Sequence, residues 1–530
     1  MITKVIDNFK GSMTQYRDGD LNSGFSNVIE TFCNDPFAQP GNLTWGEEAV
    51  QIDAAGAVIT DMILAGKERI ESGILYVYAI GHTGRLYKIQ VNDPTSYDPD
   101  YDNPVLLTTL TSGTPTFTRG GFIDFFGATE RIYIGHDKGV TRVDFNGANE
   151  TVVGVVGSWT QTVPRPLQQF SGKLYAGNGT NIAEIDSTAT VTSYTKLSPS
   201  FPVNTQARDM DVSTDGTYLQ VVVSQLALFD ITSASQDTTQ TSSTGSYIIK
   251  WNGVDVGATS FDSFPSFSLS ANTIFGNRQY TFGYDMRGGA VFNPVEKIVT
   301  EAFQEAPLPP AIVSNGNLIT WMGVIYFEDH LELSYCIFGP LDFEVGTGYW
   351  SPFGMVATGT ETDIVRVPCQ IQVSNLGQGS SSNGYTNNVF GTAKVYFSTL
   401  ETSSAPTTKY KFYRWSPRPI GLENALVDGI YQTQTQLFSK KVKVSEVRVY
   451  GEPWVANNSY TIDLIGSNGS PISGASKTFT AGSNLTVGDD FARYTPAMAP
   501  SYAIGVRITN LGTANHVITK IELDYYEAGK

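Results

Sequence analysis

The chain is poor in cysteine, histidine and charge. Three Cys in 530 residues exclude a small scaffold stapled by disulfides. Cys33, Cys336 and Cys369 show no C-x-x-C spacing and read as small buried hydrophobes. His82, His136, His330 and His516 stand too far apart for a zinc spacing. No run of 18 apolar residues exists, which excludes a helical membrane span. The opening stretch from Met1 to Lys10 lacks the apolar core of a signal peptide, so the reading is a chain made in a cytosol. Charged residues are 16% of the chain, well below the roughly 25% of an average soluble domain. Those present are 34 Lys+Arg and 51 Asp+Glu, a net charge of −17. Acid in this excess excludes a general nucleic-acid binder, which needs a basic footprint. Helical periodicity is scarce as well. The best stretch, 47–62, is weakened by Gly56 and by β-branched residues.

Gly, Ser, Thr, Asn and Tyr fill the space, and aromatics reach 12%. That palette builds strands and tight turns, and it excludes general disorder. The strands repeat. Ile74-Leu75-Tyr76-Val77-Tyr78-Ala79-Ile80 turns at Gly81-His82-Thr83-Gly84 into Arg85-Leu86-Tyr87-Lys88-Ile89. Ile132-Tyr133-Ile134 turns at Gly135-His136-Asp137-Lys138-Gly139 into Val140-Thr141-Arg142-Val143. Leu174-Tyr175-Ala176 turns at Gly177-Asn178-Gly179-Thr180-Asn181 into Ile182-Ala183-Glu184-Ile185. A fourth unit joins Leu219-Gln220-Val221-Val222-Val223 to Leu226-Ala227-Leu228-Phe229-Asp230-Ile231, and weaker units open near Ile274, Leu318 and Val389. The openings are spaced 58, 42, 45, 55, 44 and 71 residues apart. A four-stranded propeller blade takes about 40–50 residues. One blade cannot bury both faces alone, whereas a ring of blades buries them all. The expectation is a β-propeller of six or seven blades over 50–425, and the 71-residue interval has room for another blade around 331–336 and 364–373. A run of unrelated sandwiches is the alternative.

Beyond residue 425 the strands lengthen. Lys440 to Tyr450 reads as one long alternating strand, and strands near 460–465, 503–508 and 517–525 follow at sandwich spacing. An antiparallel β-sandwich over 426–530 is expected, with 442–450 and 517–526 as neighbours. The whole chain therefore reads as all-β. Residues 1–49 carry few strand signals and read as an extended N-terminal arm lying on the propeller or on a neighbouring subunit. Phe9, Met13, Leu21 and Phe25 are its candidate assembly contacts.

Motifs for chemistry are sparse. Ser213-Thr214-Asp215-Gly216-Thr217-Tyr218 approaches the Asp box of sialidase propellers, S-x-D-x-G-x-T-W. It lacks the residue between Asp and Gly and has Tyr for Trp, so a plain Asp-Gly turn is the better reading. Asp98, Asp100 and Asp102 open like a calcium loop, but Asn103 stands where the loop needs Gly and Thr109 where it needs Glu. An acidic surface turn is the expectation there. Tyr349 and Trp350 could form a sugar platform, although aromatics at strand ends more often pack. The Gly/Ser-rich loop 377–384 has no Lys and no following helix, so it is no phosphate loop. No catalytic residue, metal or cofactor is assigned.

The arm resembles that of tailed-bacteriophage virion proteins of the propeller-containing tail nozzle and tail hub type. The resemblance rests on Phe9-Lys10-Gly11-Ser12-Met13, Leu21-Asn22-Ser23-Gly24, Asn27-Val28 and Pro40-Gly41-Asn42-Leu43. Ser12 departs from the family's second Gly, and Trp45-Gly46 from its usual basic residue. The motif covers under a tenth of the chain; the order propeller then sandwich extends the likeness as architecture. It implies a non-enzymatic virion protein of the tail. Such a protein forms a ring of about six copies around the DNA exit channel and touches other tail or portal-adaptor proteins. Genomic DNA passes without specific binding, and an acidic wall suits that passage. A glycan-binding adhesin of the tail and a propeller glycosidase are the competing classes.

Overall fold

The computed structural model describes residues 58–91, 102–203, 205–213, 215–225, 246–258, 429–456, 458–511 and 517–528. It also describes segments 2–6, 18–19, 28–32 and 50–52, Leu43, and the strands alone between 260 and 415. Among the described residues the regular structure is strand, apart from a single 3-10 turn at Val156–Ser158. The stretch 47–62 is not a helix where described: Val50–Gln51 is a strand, as its β-branched neighbourhood favours.

Among the described residues four strands come before the first blade in the chain: β1 (Ile2–Ile6), β2 (Asp18–Gly19), β3 (Val28–Phe32) and β4 (Val50–Gln51). Seven antiparallel sheets follow in chain order. The first holds β5 (Ile63–Glu71), β6 (Ile74–Gly81), β7 (Arg85–Gln90) and β8 (Asn103–Thr109). The second holds β9 (Phe122–Phe126), β10 (Arg131–His136), β11 (Gly139–Val143) and β12 (Thr151–Val152). The third holds β13 (Leu167–Phe170), β14 (Lys173–Asn178), β15 (Asn181–Ile185) and β16 (Val191–Ser193). The fourth holds β17 (Thr205–Val212), β18 (Leu219–Gln225), β19 (Ser246–Trp251) and β20 (Ser260–Phe264). The fifth holds β21 (Ser268–Phe275), β22 (Arg278–Asp285), β23 (Gly288–Asn293) and β24 (Ile298–Gln304). The sixth holds β25 (Ala311–Asn315), β26 (Leu318–Tyr326) and β27 (Leu331–Phe338). The seventh holds β28 (Ile364–Val373), β29 (Lys394–Glu401) and β30 (Tyr410–Trp415), completed by β4.

The ring closes. The first strand of each sheet packs beside that of the next, and β28 returns to β5. The seven sheets are therefore seven blades. Among the described residues the long interval adds no extra blade: Leu331–Phe338 belongs to the sixth sheet and Ile364–Val373 opens the seventh. The fourth unit is also corrected. Residues 219–223 pair with β17 on one side and β19 on the other, and not with 226–231. That segment lies outside the described residues.

Alternation explains the packing. In β6, Val77 and Ala79 join a cluster with Ile371, Tyr396 and Phe412 of blade seven. Tyr78 and Ile80, one step out of phase, join Phe125, Ile132 and Ile134 of blade two. A blade strand is thus apolar on both faces, each face burying side chains worth roughly 1.5–3 kcal/mol apiece. Gly135 is small because a Cβ there would stand 2.2 Å from the Arg165 carbonyl oxygen of the next blade.

Blade seven takes its outer strand from the N-terminal side, with Val50 and Gln51 opposite Arg414 and Tyr413. The Arg414 guanidinium pairs with Asp102 of blade one in a nearly dry site. The Tyr396 hydroxyl donates to the same carboxylate at 2.5 Å. Asp102 is therefore a clamp between first and last blades and not part of an exposed acidic turn; Asp98 and Asp100 lie outside the described residues.

The C-terminal unit comprises β31 (Ile430–Thr433), β32 (Thr435–Gly451), β33 (Ser459–Ile465), β34 (Pro471–Thr480), β35 (Phe491–Tyr494), β36 (Ser501–Asn510) and β37 (Ile518–Glu527). As expected, β32 and β37 are antiparallel neighbours. One layer carries β37, β32 and β35; the other carries β34, β33, β36 and β31. Between them lie Val442, Val444, Val447, Val449, Ile462, Leu464, Val506, Ile508, Ile521 and Leu523. This is an antiparallel β-sandwich.

The arm behaves differently from expectation. Its described parts do not lie on the propeller: β1 pairs with β37, β3 with β31, and β2 runs parallel to the start of β32. Leu43 exchanges two backbone hydrogen bonds with Ile518, at 2.8 and 2.9 Å. Ile6 and Leu43 are buried members of the sandwich core. That core is accordingly not confined to 426–530. The physical reason is that open sheet edges recruit any extended segment able to satisfy their N–H and C=O groups.

Candidate functional site

The expected contacts Phe9, Met13, Leu21 and Phe25 lie outside the described residues, as do Tyr349, Trp350 and the loop 377–384. His82 and His136 are described and both are structural. His82 is held by the buried Asp61 carboxylate. His136 is buried beside Arg165, and burial, then Arg165 and Lys138, push its imidazole down to about 3. Ser213 and 215–218 lie in the turn between β17 and β18, with Gly216 at φ 71°. There Asp215 accepts from the Ser213 hydroxyl at 2.6 Å and the Thr217 hydroxyl at 2.7 Å. Those two hydroxyls hold its carboxyl down to about 2. It is a turn device, as read. Among the described residues no three His, Cys, Asp or Glu side chains gather to hold a metal, and no helix is long and apolar enough to cross a membrane.

Three hubs were not legible in the sequence. In blade one, Glu71 accepts from Lys88 at 2.6 Å, from Arg69 at 2.8 Å, and from the Tyr78 hydroxyl. Burial works against its ionisation, but Lys88, Tyr78 and Arg69 together keep the carboxyl below its ordinary range. A phenol on a carboxylate is the arrangement of a nucleophile with its base. Tyr78 is fully buried, however, so no substrate reaches it. Blade three repeats the device with Glu184, Lys196 at 2.7 Å and the buried Tyr175 at 3.3 Å. Between blades two and three, Arg165 is wholly buried. It donates to Thr160 O at 2.6 Å, Gly177 O at 2.8 Å and Asn178 Oδ1 at 2.9 Å. Burial lowers its guanidinium to about 9 despite the nearby Asp137. All three hubs weld blades or strands.

The accessible cluster lies on the outward face of the sandwich. Within β32 the inward valines run 442, 444, then 447, 449. The phase slips by one residue where the register with β37 shifts, between Val444 and Glu446. A bulge absorbs the slip, and Ser445 donates to Asp524 O at 3.0 Å. Glu446, Arg448 and Tyr450 consequently face out, opposite Glu522 and Asp524 of β37. Arg448 donates to Glu522 at 2.9 Å, to Asp524 at 2.9 Å and to Glu446 at 3.1 Å. Partial burial opposes its charge, but Asp524 and Glu522 outweigh that and raise its pKa. Glu522 is held below its ordinary range first by Lys520, then by Tyr450 and Arg448. Lys520 sits 4.0 Å over the Tyr450 ring, and Phe491 packs 5.0 Å from it. Thr3 of the arm donates to the same Asp524 oxygen at 2.6 Å. Three carboxylates already satisfy Arg448, so it does not offer a free fork to an anionic substrate. The face is a surface of aromatic and charged groups that also ties down β1.

No family model matches the chain, and no curated protein matches it. Among solved structures it is similar to a chain of a nidogen/laminin complex, at 10% identity and TM-score 0.30, over 46% of this chain and 81% of that one. It is similar to the computationally designed Ika8 protein at 11% and 0.36, over 70% and 100%. The Pan2 WD40 domain of Neurospora crassa matches at 8% and 0.38, over 71% and 97%. The propeller assignment rests on the strand pairing described above, and these likenesses carry no argument about function.

Proposed function

We propose that the chain is a non-enzymatic structural component of a phage tail, a nozzle or hub ring of about six copies around the DNA exit channel. Its partners are other tail or portal-adaptor proteins, and DNA transits without specific binding. The observation that carries this reading is the arm. The segment bearing the family-like motif is stitched into the sandwich through β1, β3 and Leu43. Arm and sandwich thereby make one assembly unit beside a closed propeller. The net charge of −17 also suits a wall past which DNA slides.

A second reading is supported by the Tyr450, Phe491 and Lys520 face: a tail adhesin in which the sandwich holds a host glycan. Native mass spectrometry with negative-stain imaging of the full chain separates the two. The ring reading expects a closed ring of about six copies and weak binding of duplex DNA. A monomer at all concentrations, or tight salt-sensitive binding of duplex DNA, argues against it. Glycan-array binding lost in Tyr450→Ala favours the adhesin, and turnover of a polysaccharide would argue for a glycosidase.

A further inference from the structure

We propose that, in the assembled ring, the arm of one copy completes the sandwich of its neighbour; this rests on the ring reading above. The arm is bound by groups indifferent to which copy they belong to. Five residues of β1 form a ladder with β37, Ile6 and Leu43 enter the core, and Thr3 reaches an aspartate 521 positions away. Among the described residues no arm strand before β4 pairs with the propeller. The same bonds form whether β37 is the arm's own or a second copy's, and exchange of such an element between identical chains costs little.

The exposed surface points the same way. β1 is an edge strand of its sheet. Ile2 and Val5 are 52% and 40% exposed on it, beside Tyr526 at 42%. An apolar edge left open in a single chain invites pairing. Placed at a seam between copies, these side chains are covered. The tether sets the geometry. Leu43 and Val50 are seven residues apart, a reach of about 25 Å when extended. Exchange therefore requires that the acceptor's Ile518 lie within about that distance of the donor's blade seven, where Val50 is anchored.

The test is a crosslink between register partners Ile2 and Tyr525. A tagged Ile2→Cys chain and an untagged Tyr525→Cys chain are co-expressed, assembled and mildly oxidised. Exchange expects a covalent tagged–untagged dimer that reductant removes. Each single variant alone controls for Cys33, Cys336 and Cys369. The double variant in one chain expects a covalent ladder. Thr3→Cys with Asp524→Cys is the second pair, chosen because these side chains touch. A ring by native mass whose double variant closes only within monomers, with no mixed dimer, overturns exchange and leaves the ring reading standing. Internal closure in a chain that forms no ring overturns both.

Discussion

Leu43→Ala tests the arm's place in the sandwich most sharply. Leu43 is fully buried among valines and isoleucines of both layers. Its N–H and C=O are bonded to Ile518, and alanine keeps both bonds. The loss is therefore confined to side-chain packing: transfer of the missing carbons plus the cavity left behind. For a fully buried leucine this is about 3–4 kcal/mol. In a unit the size of the arm plus sandwich it lowers the melting temperature by about 10 °C. Calorimetry of the full chain should show one transition falling while the propeller's stays put. Amide exchange should quicken in β33 and β37. Leu437→Ala, at a site 42% exposed, is the control and should change stability by less than about 0.5 kcal/mol. If Leu43→Ala costs under about 1 kcal/mol and leaves exchange in β37 unchanged, the arm is not part of the sandwich core.

Arg414→Met should destabilise ring closure by about 3–5 kcal/mol in urea unfolding, because it strands the Asp102 carboxylate. Adding Asp102→Asn should recover part of that loss, and additive costs would contradict the clamp. Asp211 has its carboxyl pushed up to about 6 by burial, against the pull of the Val212 N–H and Lys67. The folded chain thus binds this proton more tightly than the unfolded one. Its contribution is full below about pH 4 and is lost as pH rises through about 6. Asp211→Asn should consequently gain about 3 kcal/mol over the parent at pH 8 and nothing at pH 4, read from urea midpoints. Arg448→Met should free three carboxylates on the sandwich face and speed amide exchange from Thr3 to Ile6, through Asp524. Unchanged exchange there would dissociate the cluster from the arm.

Much of the architecture was legible in the residues because strand and turn signals are local. Alternating apolar positions, Gly-rich turns and a spacing near one blade marked the propeller. The segment 440–450 read as one uninterrupted alternating strand, and the bulge after Val444 came only with the register of its partner. Carboxylate hubs such as Glu71 and Glu184 were not legible, since partners such as Tyr78, Lys88 and Tyr175 sit on other strands whose register no local pattern announces. The arm shows the limit most clearly. Ile2–Ile6 reads as an unremarkable short run, and its partner strand begins at Ile518. The sequence alone determined that the chain is all-β, that strand-turn-strand units recur at near-blade spacing, and that the strands lengthen beyond about residue 425. Only the tertiary structure decided that there are seven blades, that Val50 and Gln51 close the ring, and that the arm belongs to the sandwich. Those choices are made by backbone N–H and C=O groups at open sheet edges. Every residue but proline carries both, so they leave no mark in the order of side chains.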